Sequence, residues 1–192
     1  MLKLITAPDE PITLEDAAEF MRAEFSTSEE DLINTLITAA RQMCEDYLFR
    51  RIGVQTVELR DKGFPTNNGP IILPSPLISV ESIKYLDVNN TEQTFGASEY
   101  VVSDAEPGMI IPVNSWPATS QSGDSLRVVF IAGYSAPGSP QESELLPSTI
   151  KTAMFMQIAD MYENREAQVE RPLTANQTMT NLLSPYRLEM GF

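Results

Sequence analysis

Carboxylates are the reactive groups this chain offers in quantity. It carries 27 Asp and Glu against 13 Lys and Arg, a formal net charge of -14. Two placed acids suffice for glycoside hydrolysis, and Glu142 with Glu144, or Asp160 with Glu163, stand close enough in sequence to be considered. Acids at such spacing are ordinary on a solvated surface, and that simpler reading fits both pairs. Asp87, Asn89 and Asn90 resemble the start of a calcium loop. Such a loop needs Gly at its sixth position and Glu at its twelfth, where this chain has Glu92 and Ser98. A hairpin turn explains the same residues better. Tyr85, Tyr100, Trp116 and Tyr134 are either an aromatic platform for a sugar or core aromatics. Cys44 falls on the apolar side of a helical pattern and reads as a small core residue.

Other chemistries are excluded by composition. With no histidine, Ser-His-Asp and Cys-His mechanisms are impossible. One cysteine and no histidine rule out an ordinary zinc site and an intramolecular disulfide. No Walker loop, no Gly-x-Gly-x-x-Gly after a strand and no Gly-x-Ser-x-Gly elbow is present. The acidic balance repels phosphate backbones and anionic lipid, which argues against a DNA-gripping or membrane-surface role. No apolar run approaches the ~18 residues of a membrane span. The stretch Met1–Ile5 is too short for a signal peptide, so synthesis in the cytoplasm is expected.

The elements that would position these residues fall into three zones: helical, strand-rich, helical. Thr13 reads as an N-cap with Asp16 as its partner, opening a short helix that stops near Phe25. A longer helix starts at Ser28, with Glu29, Glu30 and Asp31 at its positive end. Its apolar stripe is Leu32, Leu36, Ala40, Met43 and Tyr47, widened by Ile33, Ile37, Ala39 and Cys44, and Gly53 is its stop. Seven candidate strands follow: 55–59, 71–73, 80–87, 92–95, 100–103, 109–113 and 126–132. Asn89-Asn90 suits a hairpin turn. Leu126–Ala132 is apolar on both faces and reads as a central strand. Ser135–Pro140 is a linker, and Pro147 opens a helix ending near Glu166. Ala167–Thr178 is polar and without pattern. Leu182-Leu183 ends at most a single helical turn, and Pro185 leaves Tyr186–Phe192 extended.

Several phrases, taken in order, carry a family likeness. They are Ile12-Thr13-Leu14-Glu15-Asp16-Ala17, Glu30-Asp31-Leu32-Ile33, Glu45-Asp46-Tyr47, Gly63-Phe64-Pro65 and Leu73-Pro74-Ser75-Pro76-Leu77. Val80-Glu81-Ser82-Ile83-Lys84-Tyr85, Trp116-Pro117, Ala132-Gly133-Tyr134 and Tyr162-Glu163-Asn164-Arg165-Glu166 follow. From about Pro11 to Leu188 the chain resembles the head-tail connector (adaptor) proteins of long-tailed bacteriophages, prophages and gene transfer agents. The resemblance implies a structural virion protein at the capsid vertex and neck, with no catalytic residue, cofactor or metal. Its partners would be the portal protein, the next neck or tail-completion protein and further copies of itself. The ring would hold about twelve copies closed by head-to-tail contacts, and double-stranded DNA would pass through without specific binding.

The expected fold is therefore α+β. N- and C-terminal helices pack as a small bundle, with an inserted antiparallel β-sandwich or barrel-like domain. Residues 1–53 form the N-terminal helical part, 54–134 the β-domain, 135–166 a linker and closing helix, and 167–192 a mobile loop and docking tail. Leu182, Leu183, Tyr186, Leu188, Met190 and Phe192 are too apolar for a solvated terminus, and with Arg187, which can pair with a portal carboxylate, they are the candidate portal-docking residues; the alternative is that the tail folds back onto the chain's own helices. The alternative from another class is a β-sandwich carbohydrate-binding module or glycosidase.

Overall fold

The computed structural model describes residues 1–120, 123–135, 145–164 and 177–188. The chain forms two compact units, Met1–Pro8 with Gly53–Glu144, and Asp9–Ile52 with Leu145–Phe192. The first is built of strands and the second of helices, so the fold is mixed α+β.

The β unit opens on a strand the sequence reading did not contain, β1 (Leu2–Thr6), which pairs antiparallel with β2 (Gln55–Asp61). Both faces of β1 are largely exposed, so it lacks the alternation that marks a half-buried strand. The remaining strands are β3 (Ile71–Leu73), β4 (Leu77–Leu86), β5 (Glu92–Thr94), β6 (Tyr100–Ser103), β7 (Gly108–Pro112) and β8 (Leu126–Ala132). They form two antiparallel sheets, β1-β2-β8-β4-β5 and β3-β7-β6. β8 is central, as its two apolar faces require, flanked along its full length by β2 and β4. One core joins the two sheets: Val57, Ile83, Val128 and Phe130 from the larger, Ile71, Leu73 and Ile110 from the smaller. The barrel expectation is corrected here. Each sheet ends in an open edge, so no ladder closes.

The turn between β4 and β5 is built by Asp87. Its Oδ1 accepts from the N–H groups of Asn89 and Thr91 at 2.8 and 3.0 Å, and Asn90 takes a positive φ of 60°. Gly133, after β8, has φ +133°, and a Cβ there would lie 1.9 Å from the Gly53 carbonyl oxygen. Only glycine fits.

In the helical unit, α1 (Leu14–Met21) starts from the expected capping box. Asp16 N–H donates to Thr13 Oγ1 at 3.0 Å, and Thr13 N–H to Asp16 Oδ2 at 3.2 Å. It stops at Arg22 in the left-handed region, earlier than Phe25. The long helix α2 runs Thr27–Leu48, with Ser26 rather than Ser28 before it. Phe49, at φ 56°, ends it ahead of Gly53. α3 (Ser148–Glu163) packs on α2, and α1 packs on both. α4 (Gln177–Leu183) packs on α3 and runs into a 3-10 turn, Ser184–Tyr186.

Candidate interaction surfaces

The buried face of α2 is Ile33, Ile37, Ala40, Arg41, Cys44, Glu45 and Leu48. This is rotated from the expected stripe, leaving Leu32 and Met43 exposed. Two charged side chains therefore enter the interior, and each is paired there. Arg41, 3% exposed, donates Nε to Glu10 at 2.9 Å and meets Glu45 at 3.2 Å. Glu45, 4% exposed, also receives Arg51 at 3.3 Å and the Ile52 N–H at 2.8 Å. Thr38 donates to the other oxygen of Glu10 at 2.9 Å. Burial pulls the Arg41 guanidinium down, but the bond to Glu10 and the charge of Glu45 outweigh it and hold the group above its ordinary value. The network holds the chain as it leaves α2: Glu45 grips the backbone at Ile52, seven residues on. These carboxylates are occupied by cations and amides, so the cluster is structural.

Of the candidate docking residues, Tyr186, Arg187 and Leu188 lie against the end of α2, and Leu182 and Leu183 stand on α4, which packs on α3. Leu183 is buried. The Tyr186 carbonyl accepts from Arg50 Nε at 2.6 Å, and the Leu188 N–H donates to the Leu48 carbonyl at 3.0 Å. Arg187, itself exposed, sets its guanidinium 5.1 Å from the centre of the Tyr47 ring. Leu182, Tyr186 and Leu188 are half-buried. The extended form expected from Tyr186 onward is corrected at Tyr186 alone, which closes a 3-10 turn containing Pro185, while Arg187 beyond it is extended as expected. Met190 and Phe192 lie outside the described residues, as do the pair Glu142 and Glu144 and most of the expected 167–178 loop.

The chemical candidates resolve into packing. Phe64 stacks on Trp116 at 4.7 Å and meets Tyr85 edge-on at 5.4 Å, while Tyr100 stacks on Phe95. Trp116 Nε1 donates to the Gly69 carbonyl at 2.8 Å, and Tyr134 is buried. These aromatics belong to the core and its rim. Burial raises the Tyr100 hydroxyl pKa for the same reason. Asp87 spends both oxygens on its turn, with the Thr91, Gln93 and Asn89 hydrogen bonds holding its carboxyl below the ordinary range. Asp160 is exposed and accepts from Asn164. Cys44 is buried, and desolvation pushes its thiol up to about 12. Among the described residues no cluster of acids and cysteine could hold a metal, and no helix is long and apolar enough to cross a membrane.

What the described surface does offer is apolar. Val101, Ile111 and Val113, on one face of the small sheet, are 57%, 42% and 55% exposed, and Val101 stands directly opposite Ile111. Leu4 and Ile5, on the edge strand β1, are 44% and 51% exposed. In the helical unit Phe20 is 45% exposed, with its ring stacked 4.9 Å from Phe155.

No family model matches this chain, and no curated protein matches it by sequence. Solved structures do. A chain from the neck of an empty GTA particle computed with C6 symmetry superposes with a TM-score of 0.77 at 16% identity. The match covers 100% of this chain and 97% of the other. A chain from the virion of a native gene transfer agent particle gives the same values. A chain from the neck of a native GTA particle computed with C12 symmetry gives 0.73 at 18% identity, again over 100% and 97%. This chain has the fold of those particle proteins.

The match extends over the full length of this chain. Sequence reasoning missed β1 and the exposed face of β6 and β7 as surfaces. The signal for the second was present in Val101, Ile111 and Val113, which alternate with the buried Ile110 and Pro112 at strand period. Both faces of β7 being apolar was the available clue.

Proposed function

We propose that this chain is a structural component of the neck of a phage-like particle. More finely, it is an adaptor whose copies form a ring beneath the portal, joining the DNA-filled head to the tail. The observation that carries this is the likeness over the whole chain to chains of gene transfer agent particles, two of them from the neck. The sequence phrases resemble the same class. The acid excess suits a ring whose bore carries DNA without holding it, since like charge suppresses phosphate binding. Portal docking is assigned to Leu182 on α4 and to Tyr186, Arg187 and Leu188 beside the end of α2, as a fixed face rather than a free arm. The carbohydrate reading draws no support, because the aromatics it needs turn into the core.

Electron microscopy of particles from the producing cell, with the chain carrying a small fused tag, tests the reading. Tag density in a ring at the portal vertex is expected. Particles with heads and tails fully joined in a strain lacking the chain overturn it.

A further inference from the structure

The larger sheet ends at β1 and the smaller at β6, so each exposes one side of a strand with unpaired backbone groups. Exposed edges of this kind are normally blunted by charge, proline or a covering element. Among the described residues no strand pairs with the outer side of β1 or β6. β1 has two of the usual blunting features, Lys3 and a register shift between Leu4 and Thr6. Each edge nevertheless carries apolar side chains: Leu4 and Ile5 on one, Val101 beside Ile111 on the other.

Their charges are opposite. β1 carries Lys3, opposite Glu58 of β2, and no acid. The segment from Ala97 to Pro112, which holds β6 and β7, carries Glu99, Asp104 and Glu106 and no Lys or Arg. Asp104 follows directly on the last residue of β6, and Lys3 lies near the start of β1. An antiparallel pairing of the two edges would set these ends together, with the apolar residues meeting in register beside them. In a chain of net charge -14, a cationic strand is the scarce element, and an acidic sheet edge is what complements it.

The geometry points to a head-to-tail contact between copies of this chain, in which β1 of one copy adds to the β6 edge of the next. The two surfaces are different patches of one protomer, so the contact is heterologous and propagates to a ring when its rotation closes. Four or five paired residues make each contact weak, and many made at once make the ring stable. The inference deepens the ring reading above by naming which edges meet.

Sedimentation of the purified chain and of Ile5→Asp and Ile111→Asp tests it. Both residues are exposed, so both variants keep their fold by circular dichroism. Wild type is expected to associate with concentration, and each variant to weaken that association about tenfold or more. An equimolar mixture of the two variants should form dimers and stop there. Ile5→Asp retains an intact β6 face and Ile111→Asp an intact β1 edge, so only one productive contact exists. Association indifferent to both substitutions, a mixture no more associated than either variant alone, or a wild-type chain that is monomeric up to millimolar concentration overturns the inference. A chain found in the neck whose association ignores both substitutions leaves the neck reading standing while this one fails. The complementation pattern in a chain absent from particles does the reverse.

Discussion

The Leu188 N–H donates to the Leu48 carbonyl at 3.0 Å, which ties the last described residue to the last residue of α2. This bond satisfies one of the carbonyls that a helix end leaves unpaired, and the Tyr186 carbonyl beside it accepts from the Arg50 side chain. Arg50 is only 5% exposed, so its acceptor matters. Truncation after Ser184 is expected to cost about 1–3 kcal/mol, read as a melting temperature several degrees lower. A truncated protein that melts with wild type shows that these contacts contribute nothing to stability.

The buried network makes a larger claim. Glu45→Ala leaves Arg41 with Glu10 alone and removes the acceptor of the Ile52 N–H. Breaking a buried pair from one side costs about 3–5 kcal/mol. Denaturant unfolding should show that loss, while the exposed pair of Lys84 with Glu92, broken by Lys84→Ala, should cost under about 1 kcal/mol. Equal effects from the two substitutions would contradict the burial assigned to Glu45.

Cys44 has a pH signature. Its thiol is pushed up to about 12 by burial, from 9.0 when unfolded. Below pH 9 both states hold the proton and the thiol has no effect on the pH dependence. Between 9 and 12 the unfolded chain loses the proton and the folded chain keeps it, so stability falls as pH rises. Cys44→Ser should remove that part of the alkaline slope. Alkylation by iodoacetamide at pH 8 should be slow in the folded protein and fast in urea. Rapid alkylation of the folded protein would show the thiol exposed.

Gly133→Ala should fail to fold or lose about 3 kcal/mol or more, because a positive φ and a clash with backbone act together. Gly123→Ala, where a Cβ meets nothing within 4 Å, serves as the control and should melt with wild type. Similar stabilities for the two variants would refute the tight approach of Gly133 to Gly53.

Much of this architecture was legible in the sequence. The Thr13–Asp16 box, the Asn90 turn and the seven strands from Gln55 to Ala132 rest on local chemistry, and the structure places all of them within a few residues. The face of α2 was legible in part: Ile33, Ile37, Ala40 and Cys44 were read onto it and are buried, while Leu32 and Met43 were read onto it and are exposed. Leu32, Leu36, Met43 and Tyr47 obey helical spacing as well as Ile33, Ile37, Cys44 and Leu48 do. What selects the second set is that Arg41 and Glu45 find partners inward, at Glu10 and Arg51, which no periodicity records. The cover of the chain's end was not legible for a related reason: α4, with the buried Leu183, packs on α3, and the Tyr186 carbonyl accepts from Arg50, contacts far apart in sequence. The aromatic residues were ambiguous until their rings were seen facing one another.

The Arg50–Tyr186 bond joins groups 136 residues apart, and β1 finds its partner only when β2 has been made. During synthesis both units are therefore left waiting. The first strand leaves the ribosome without a neighbour, and the α2 end stays uncapped until nearly everything downstream has emerged. Such non-local closure slows folding and prolongs the exposure of sticky edges. A chaperone that shields Leu4 and Ile5 during that interval would raise the yield of folded chain, and a β1 strand made more apolar would lower it.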